Sequence, residues 1–268
     1  MSATDTGFAG SIPALYDGYL GPLLFEPFAE EVARRARVSS PGQVLETAAG
    51  TGIVTAALQR GLPDAHIVAT DLNQAMLDLA AQRIRSDRVS FEAMDAQELR
   101  FVDEMFDLVV CQFGVMFYSD RVRGNAEARR VLRDDGRYLL VLWDALDRNP
   151  VPHAVHQAVT SRFPDDPPAF LARTPFGYGA PEQIEADLRA ADFSEIEFET
   201  VTLHSKPISA RDAAIGLCQG TPLRAEIEPR GAQALERATA AAAEALRRFE
   251  QDGRIIAPMS AHVVTAIR

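Results

Sequence analysis

Residues 44–54 read Val-Leu-Glu-Thr-Ala-Ala-Gly-Thr-Gly-Ile-Val, and this stretch narrows the fold more than any other. An apolar segment ends in a carboxylate, Glu46; small residues follow; a segment of helical character starts directly after them. Gly50 and Gly52 have no Cβ, so the backbone there can turn sharply and approach a ligand closely. The expected helix would aim its free N–H groups and positive dipole end at the same space, which suits a carboxylate or phosphate. Glu46 would attract a positive group beside it. One loop thus offers an anion site next to a cation site, the polarity of an amino acid's carboxylate and ammonium. A dinucleotide loop would read GxGxxG with no acid before it, and the nucleotide pattern GxxxxGK[ST] is absent.

The same stretch opens a regular alternation. Residues 43–47 predict a buried strand and 53–60 a helix. A second strand follows at 66–70, then a helix capped by Asn73 and running to about residue 84. Residues 89–93 and 106–112 predict a third and a fourth strand. A helix over 122–132, a turn at Asp134, Asp135 and Gly136, and a fifth strand over 137–143 complete the run. This order predicts an α/β fold with a doubly wound, mostly parallel sheet covered on both faces. The regularity lapses after Trp143. Residues 147–181 are rich in proline, a helix starts at Pro181, and 195–203 alternate like a strand with one solvent face. Residues 207–230 read as turn-rich, 231–249 as an alanine-rich helix and 255–267 as a final strand. Before the alternation, residues 12–37 carry a helical pattern broken by Gly21, Pro22 and Pro27.

The second strand ends in Ala69, Thr70, Asp71 and Leu72. A carboxylate at that tip can accept hydrogen bonds from both hydroxyls of a ribose. Glu46, the Gly-Thr-Gly loop and Asp71 form a far more specific set than any one of them. With these residues the chain resembles the class I S-adenosylmethionine-dependent methyltransferases, nearest to the ubiquinone/menaquinone-biosynthesis C-methyltransferases. The motifs carrying the resemblance are residues 44–52, 67–76 (IVATDLNQAM), 91–99 (FEAMDAQEL), 106–120 (FDLVVCQFGVMFYSD) and 131–138 (VLRDDGRY), spread over residues 40–145.

The resemblance implies a seven-stranded sheet with an antiparallel last strand and helical lid insertions. It also implies residue roles. Glu46 and the backbone at Ala48, Gly50 and Gly52 would hold the methionine part of S-adenosylmethionine. Asp71 would bind the ribose, with Leu72 and Met76 near the adenine. Asp95 would accept from the adenine amino group and the Ala96 N–H would meet a ring nitrogen. Gln112, Phe113 and Met116 would line the pocket beside the methyl. Ala48 stands where the family often has glycine, and Asp134-Asp135-Gly136 replaces a Lys/Arg-Pro-Gly-Gly turn. The expected organisation is one domain over 1–268: an N-terminal helical lid (1–38), a cofactor-binding core (40–145) and substrate-cap segments (146–180 and 205–250). The expected activity is methyl transfer to a small-molecule O, N or C nucleophile, with S-adenosylhomocysteine as product. A non-catalytic S-adenosylmethionine-binding protein is the second reading, and a nicotinamide-dependent oxidoreductase the third.

Several residues have two readings. Asp95 either contacts a ligand or caps the turn before Gln97. Tyr16 and Tyr19 either pack or close over the cofactor. His153 and His156, three apart on a helical stretch, are either partly exposed polar residues or bases at the substrate mouth. Tyr178 falls in the irregular segment and is a third weak candidate for catalysis. Cys111 sits in an apolar strand and reads as core. The chain has two cysteines and a single lysine, Lys206, and no Cys/His set has zinc spacing, so no metal is expected. A net charge of −11 with no basic arm makes nucleic acid a poor partner. The start lacks a basic, then apolar, leader, and the longest apolar run is shorter than the ~20 residues that cross a bilayer. A cytoplasmic protein without membrane insertion is expected, with a homodimer as one assembly.

Overall fold

The computed structural model describes residue 7 and residues 10–268. In chain order the elements are α1 (Ile12–Leu15), a π-helical stretch (Tyr16–Phe25), α2 (Glu26–Ala36), β1 (Gln43–Glu46), α3 (Ile53–Gly61), β2 (His66–Asp71), α4 (Gln74–Arg83), β3 (Val89–Ala93), β4 (Phe106–Gln112), α5 (Arg121–Val131) and β5 (Leu132–Trp143). There follow α6 (Pro150–Thr160), α7 (Phe170–Arg173), α8 (Pro181–Ala190), β6 (Glu195–His204), α9 (Ala210–Gln219), α10 (Leu223–Ile227), α11 (Ala234–Leu246), β7 (Glu250–Gln251), β8 (Arg254–Ile255) and β9 (Pro258–Ile267). The chain divides into two compact units. One comprises the described residues up to Pro27, Asp144–Gly177 and Thr202–Ser260; the other comprises Phe28–Trp143, Tyr178–Val201 and Ala261–Arg268.

The second unit holds the sheet. Its seven strands run in the order β3-β2-β1-β4-β5-β9-β6. β1 pairs with β2 and β4, β2 with β3 and β4 with β5, all parallel, while β9 runs antiparallel to β5 from Arg137↔Ile267 to Trp143↔Ala261. β4 lies mid-sheet and reads as a continuous apolar run, with Leu108, Val109, Val110 and Cys111 all buried, as a strand covered on both faces must be. The sheet thus has the seven strands, doubly wound order and antiparallel last strand that the residues and the resemblance implied.

Three details in this unit differ from expectation or refine it. The turn at Asp134-Asp135-Gly136 does not precede β5 but interrupts it. Leu132 pairs with Phe106 and Arg137 with Leu108, so the intervening residues are looped out, with Asp135 at φ 63°. The last strand begins at Pro258; Ile255 belongs instead to the two-stranded ribbon β7-β8 of the first unit. α4 is capped as predicted, the Asn73 side chain accepting from the Ala75 N–H.

The first unit is largely helical. Residues 12–27 form an unbroken helical run despite Gly21 and Pro22. The π-helical stretch absorbs the proline, and the Glu26 N–H reaches back five residues to the Gly21 carbonyl. Residues 1–6, 8 and 9 of the expected lid lie outside the described residues. The stretch 207–230 is not turn-rich but carries α9 and α10. Ser209 caps α9, its side chain accepting from the Asp212 N–H, and buried Ala210, Ala213, Ala214, Leu217 and Cys218 form an apolar face of helical spacing. Gly216 and Gly220 within that stretch are packing positions. A Cβ at Gly216 would stand 2.8 Å from Leu20 Cδ2, and one at Gly220 would stand 3.0 Å from the Tyr16 backbone nitrogen.

Candidate functional site

β1 ends at Glu46, and its parallel neighbour β2 ends at Asp71. The loop after β1 turns through left-handed conformations at Ala48 (φ 53°), Gly50 (φ 56°) and Gly52 (φ 78°). Three such residues in so short a span favour glycine strongly, and Ala48 carries the strain of a Cβ. Hydrogen bonds hold the loop on both sides: Thr47 N–H donates to the Val110 carbonyl of β4, and Ala49 N–H to the Thr70 carbonyl of β2, each at 2.9 Å. At Gly52 a Cβ would stand 2.8 Å from Ala80 Cβ of α4, so glycine lets α3 begin against α4.

Both carboxylates are anchored. Asp71 Oδ2 accepts from the Gly50 N–H and Oδ1 from the Asn73 N–H, both at 2.8 Å. Each oxygen retains a lone pair for a further donor. Burial raises the Asp71 pKa, and the two N–H bonds oppose that rise. Glu46 is only 2% exposed, and its Oε2 accepts from Thr55 Oγ at 2.6 Å. Burial pushes its pKa up to about 8; the Thr55 bond pulls it down and the Asp71 charge pushes it up again. A carboxyl so placed is neutral over much of the physiological range and ionises when a cation arrives beside it.

Asp95 follows β3. Its Oδ1 accepts from both the backbone N–H and the side-chain Nε2 of Gln97, at 2.8 and 3.0 Å, so the turn-capping reading holds in the structure. A hollow of about 300 Å³ is lined by Leu72, Ala93, Met94, Asp95, Glu98 and Arg100. Leu72 is 63% exposed there, a large apolar side chain on open surface next to two acidic residues. Ala96 is buried, and Met76 packs under the loop, its Cε 3.7 Å from the position of a Cβ on Gly50.

At the end of β4 and just after it the side chains turn inward to different degrees. Gln112 is half-buried at the strand's end. Phe113, at φ 55°, stacks on Trp143 at 3.8 Å, and Phe28 meets both rings edge-on at 5.4 and 5.5 Å. Met116 is 1% exposed. Phe113 and Met116 therefore contribute mainly to the core, because aromatic stacking and burial hold them there.

Sequence reasoning missed three members of this site. Thr55 is fully buried against Glu46, and its only signal was a lone hydroxyl among the apolar residues of α3. Tyr118 donates to Thr47 Oγ at 3.1 Å and lies 3.5 Å from Cys111 Sγ, bracing the end of β1 against β4. Gly114 leaves room for Ala48: a Cβ there would stand 2.4 Å from the Ala48 Cβ.

The three catalytic candidates belong to different units, Tyr178 to the second and His153 and His156 to the first. Tyr178 is buried, donates to Asp187 Oδ2 at 2.7 Å and carries the Arg121 guanidinium 4.2 Å over its ring. Burial and the Asp187 carboxylate raise its pKa, which keeps the phenol neutral and unfit as a base. His153 and His156 lie half-buried on α6, in the first unit. Burial and the neighbouring His153 lower the His156 pKa. Tyr16 and Tyr19 also belong to the first unit. Tyr16 stacks on Phe25 at 4.7 Å, and the Tyr19 Cβ lies 2.9 Å from the position of a Cβ on Gly216. Among the described residues no group of three or more His, Cys, Asp or Glu could hold a metal, and no helix is long and apolar enough to cross a membrane.

A family profile described as "Methyltransferase domain" matches residues 44–136, the stretch that carries every element above from β1 to the break in β5. The demethylmenaquinone methyltransferase of Clavibacter sepedonicus is 31% identical over 173 residues, covering 60% of this chain and 69% of that protein. The chain belongs to the class I S-adenosylmethionine-dependent methyltransferases. A second relative in the family, the demethylmenaquinone methyltransferase of Deinococcus radiodurans, is 40% identical over 111 residues, or 41% of this chain. The chain spans about half the length of that relative, 46%. Among solved methyltransferase structures, phosphoethanolamine N-methyltransferase 2 of Haemonchus contortus, in complex with S-adenosyl-L-methionine, superposes with a TM-score of 0.62. It covers 100% of this chain and 60% of its own at 15% identity, which shows a shared fold.

Proposed function

We propose that this methyltransferase-family chain moves a methyl group from S-adenosylmethionine to a small-molecule acceptor through an O, N or C nucleophile, leaving S-adenosylhomocysteine. The observation that carries the reading is the bond from the Gly50 N–H to Asp71, with Glu46 at the tip of the adjacent strand. It sets a buried and a half-buried carboxylate around a loop of small residues turned through three left-handed positions. That arrangement fits a nucleoside joined to an amino acid. The spare lone pairs of Asp71 would take the ribose hydroxyls. Glu46 and the backbone of Ala48, Gly50 and Gly52 would take the amino-acid tail, and Leu72, Met76, Asp95 and Ala96 the adenine.

When bound, this cofactor supplies a methyl group on a sulfonium, which is already a strong leaving group. The chain's own residues bind, orient and exclude water, and orientation alone can contribute ~7–11 kcal/mol. No metal enters this reading, and no base is assigned. Residues 1–38, 146–180 and 205–250 carry acceptor specificity in it. Because two relatives are named for demethylmenaquinone, a reduced naphthoquinone is the first acceptor to try, ahead of phenols and amines.

The test has two stages. Calorimetry with ligand-stripped protein should register binding of S-adenosylmethionine and S-adenosylhomocysteine, and silence for both ends the proposal. Release of S-adenosylhomocysteine across a panel of small acceptors then separates an enzyme from a protein that only binds the cofactor. A bound reduced nicotinamide, visible by its absorbance, would point to the oxidoreductase instead.

A further inference from the structure

We propose that Gln97 is the positioning residue for adenine recognition, holding Asp95 in place with one end of its amide and the loop after β4 with the other. The inference rests on the reading of Asp95 as the acceptor for the adenine amino group.

Gln97 lies two residues past Asp95 and makes four hydrogen bonds around the turn. Its backbone N–H and its Nε2 both donate to Asp95 Oδ1, at 2.8 and 3.0 Å. Its Oε1 accepts from Ser119 Oγ at 2.8 Å and from the Asp120 N–H at 2.7 Å. A carboxylate accepts only and a backbone N–H donates only, so the orientation of this amide is fixed at both ends. Glutamate in its place could not donate to Asp95, and an apolar side chain could do neither.

Two donors on Oδ1 fix the plane of the Asp95 carboxylate and direct further donors to Oδ2. An exocyclic amine is such a donor, and a carbonyl oxygen in its place is not. The anchor on the other side is rigid. Asp120 caps α5, its side chain accepting from the Arg123 N–H at 2.9 Å, and a Cβ at Gly124 would stand 2.5 Å from the Tyr118 ring and 3.6 Å from Gln97 Cγ. Gln97 is thus held between a packed helix start and the carboxylate it aims.

The experiment compares two ligands on the full, ligand-stripped chain: S-adenosylhomocysteine, and S-inosylhomocysteine, in which a carbonyl oxygen replaces the adenine amino group. Wild type should prefer the adenine form by about tenfold or more. Gln97→Met and Gln97→Glu should each lower affinity for the adenine form about tenfold while leaving the inosine form within about twofold. Asp95→Ala should do the same. Gln97→Glu keeps an acceptor for Ser119 and Asp120 but sets a second carboxylate against Asp95, whereas Gln97→Met removes both contacts without adding charge, so agreement between the two variants separates lost steering from repulsion. If both Gln97 variants lose affinity for both ligands equally, or lose none, Gln97 does not steer Asp95 and the proposal is overturned. Loss of the preference in Asp95→Ala would then leave the Asp95 reading standing. If Asp95→Ala also keeps the wild-type preference, that reading fails first and this one with it.

Discussion

Thr55, the third residue of α3, donates its hydroxyl to Glu46 Oε2 at the tip of β1 across 2.6 Å. The bond joins the two elements flanking the small-residue loop, so the direction of the Glu46 carboxyl depends on the helix that follows. Replacing Thr55 with valine keeps the shape and removes the donor. Affinity for S-adenosylhomocysteine is expected to fall about fivefold in Thr55→Val and to recover within about twofold in Thr55→Ser. Calorimetry on both variants checks this, and equal affinities across the series would mean that Glu46 needs no such support.

The raised pKa of Glu46 has a consequence for stability against pH. In the unfolded chain this carboxyl ionises near the ordinary glutamate value of 4.5; in the fold it holds its proton to about 8. Between those values the folded state binds the extra proton, so stability falls as pH rises, by at most about 1.4 kcal/mol per pH unit, and levels off above the folded value. Urea unfolding of wild type and Glu46→Gln at pH 5.5, 7 and 8.5 isolates the contribution from all other groups. The variant should gain on wild type with each step up in pH; parallel curves would remove Glu46 from the account.

In the proposed site Asp71 would take the ribose. Asp71→Ala loses the acceptor and also frees the Gly50 and Asn73 N–H groups that shape the loop. Binding of S-adenosylmethionine should weaken at least tenfold, or about 1.4 kcal/mol. Unchanged affinity in the calorimeter would take Asp71 out of the site.

Gly52 is a prediction about folding rather than binding. A Cβ there meets Ala80 at 2.8 Å in a left-handed backbone, combining overpacking with strain. Gly52→Ala should cost about 2 kcal/mol or more in chemical unfolding, whereas Gly253→Ala, also left-handed but with open space around it, should cost about 1 kcal/mol or less.

The strand-end part of the candidate site was legible because its chemistry is local. Glu46, the glycines and Asp71 sit at strand ends whose periodicity is strong, and strands covered on both faces announce themselves as apolar runs. What stayed hidden depended on contacts distant in sequence. The stretch 207–230 reads as turn-rich because nothing nearby reveals that Leu20 and Tyr16 press against its Gly216 and Gly220. Pro22 read as a break because a π-helical register is not a pattern in the letters. Phe113 and Met116 follow β4 as a pocket wall should, yet Trp143 and the core claim them. Thr55 acts through one hydrogen bond to Glu46 and Gln97 through two to Asp95, and contacts so few leave no periodicity.

β9 lies between β5 and β6 and runs against β5. Until that segment arrives, β5 presents an unpaired ladder of backbone groups, an invitation to any other extended chain nearby. The candidate-site loops carried by β1, β2 and β4 can form early from neighbouring segments, but completion of the sheet waits for a partner remote along the polypeptide, the kind of pairing that slows folding. Truncations inside residues 258–267 should therefore show up as aggregation in the cell before they show up as any change in ligand recognition.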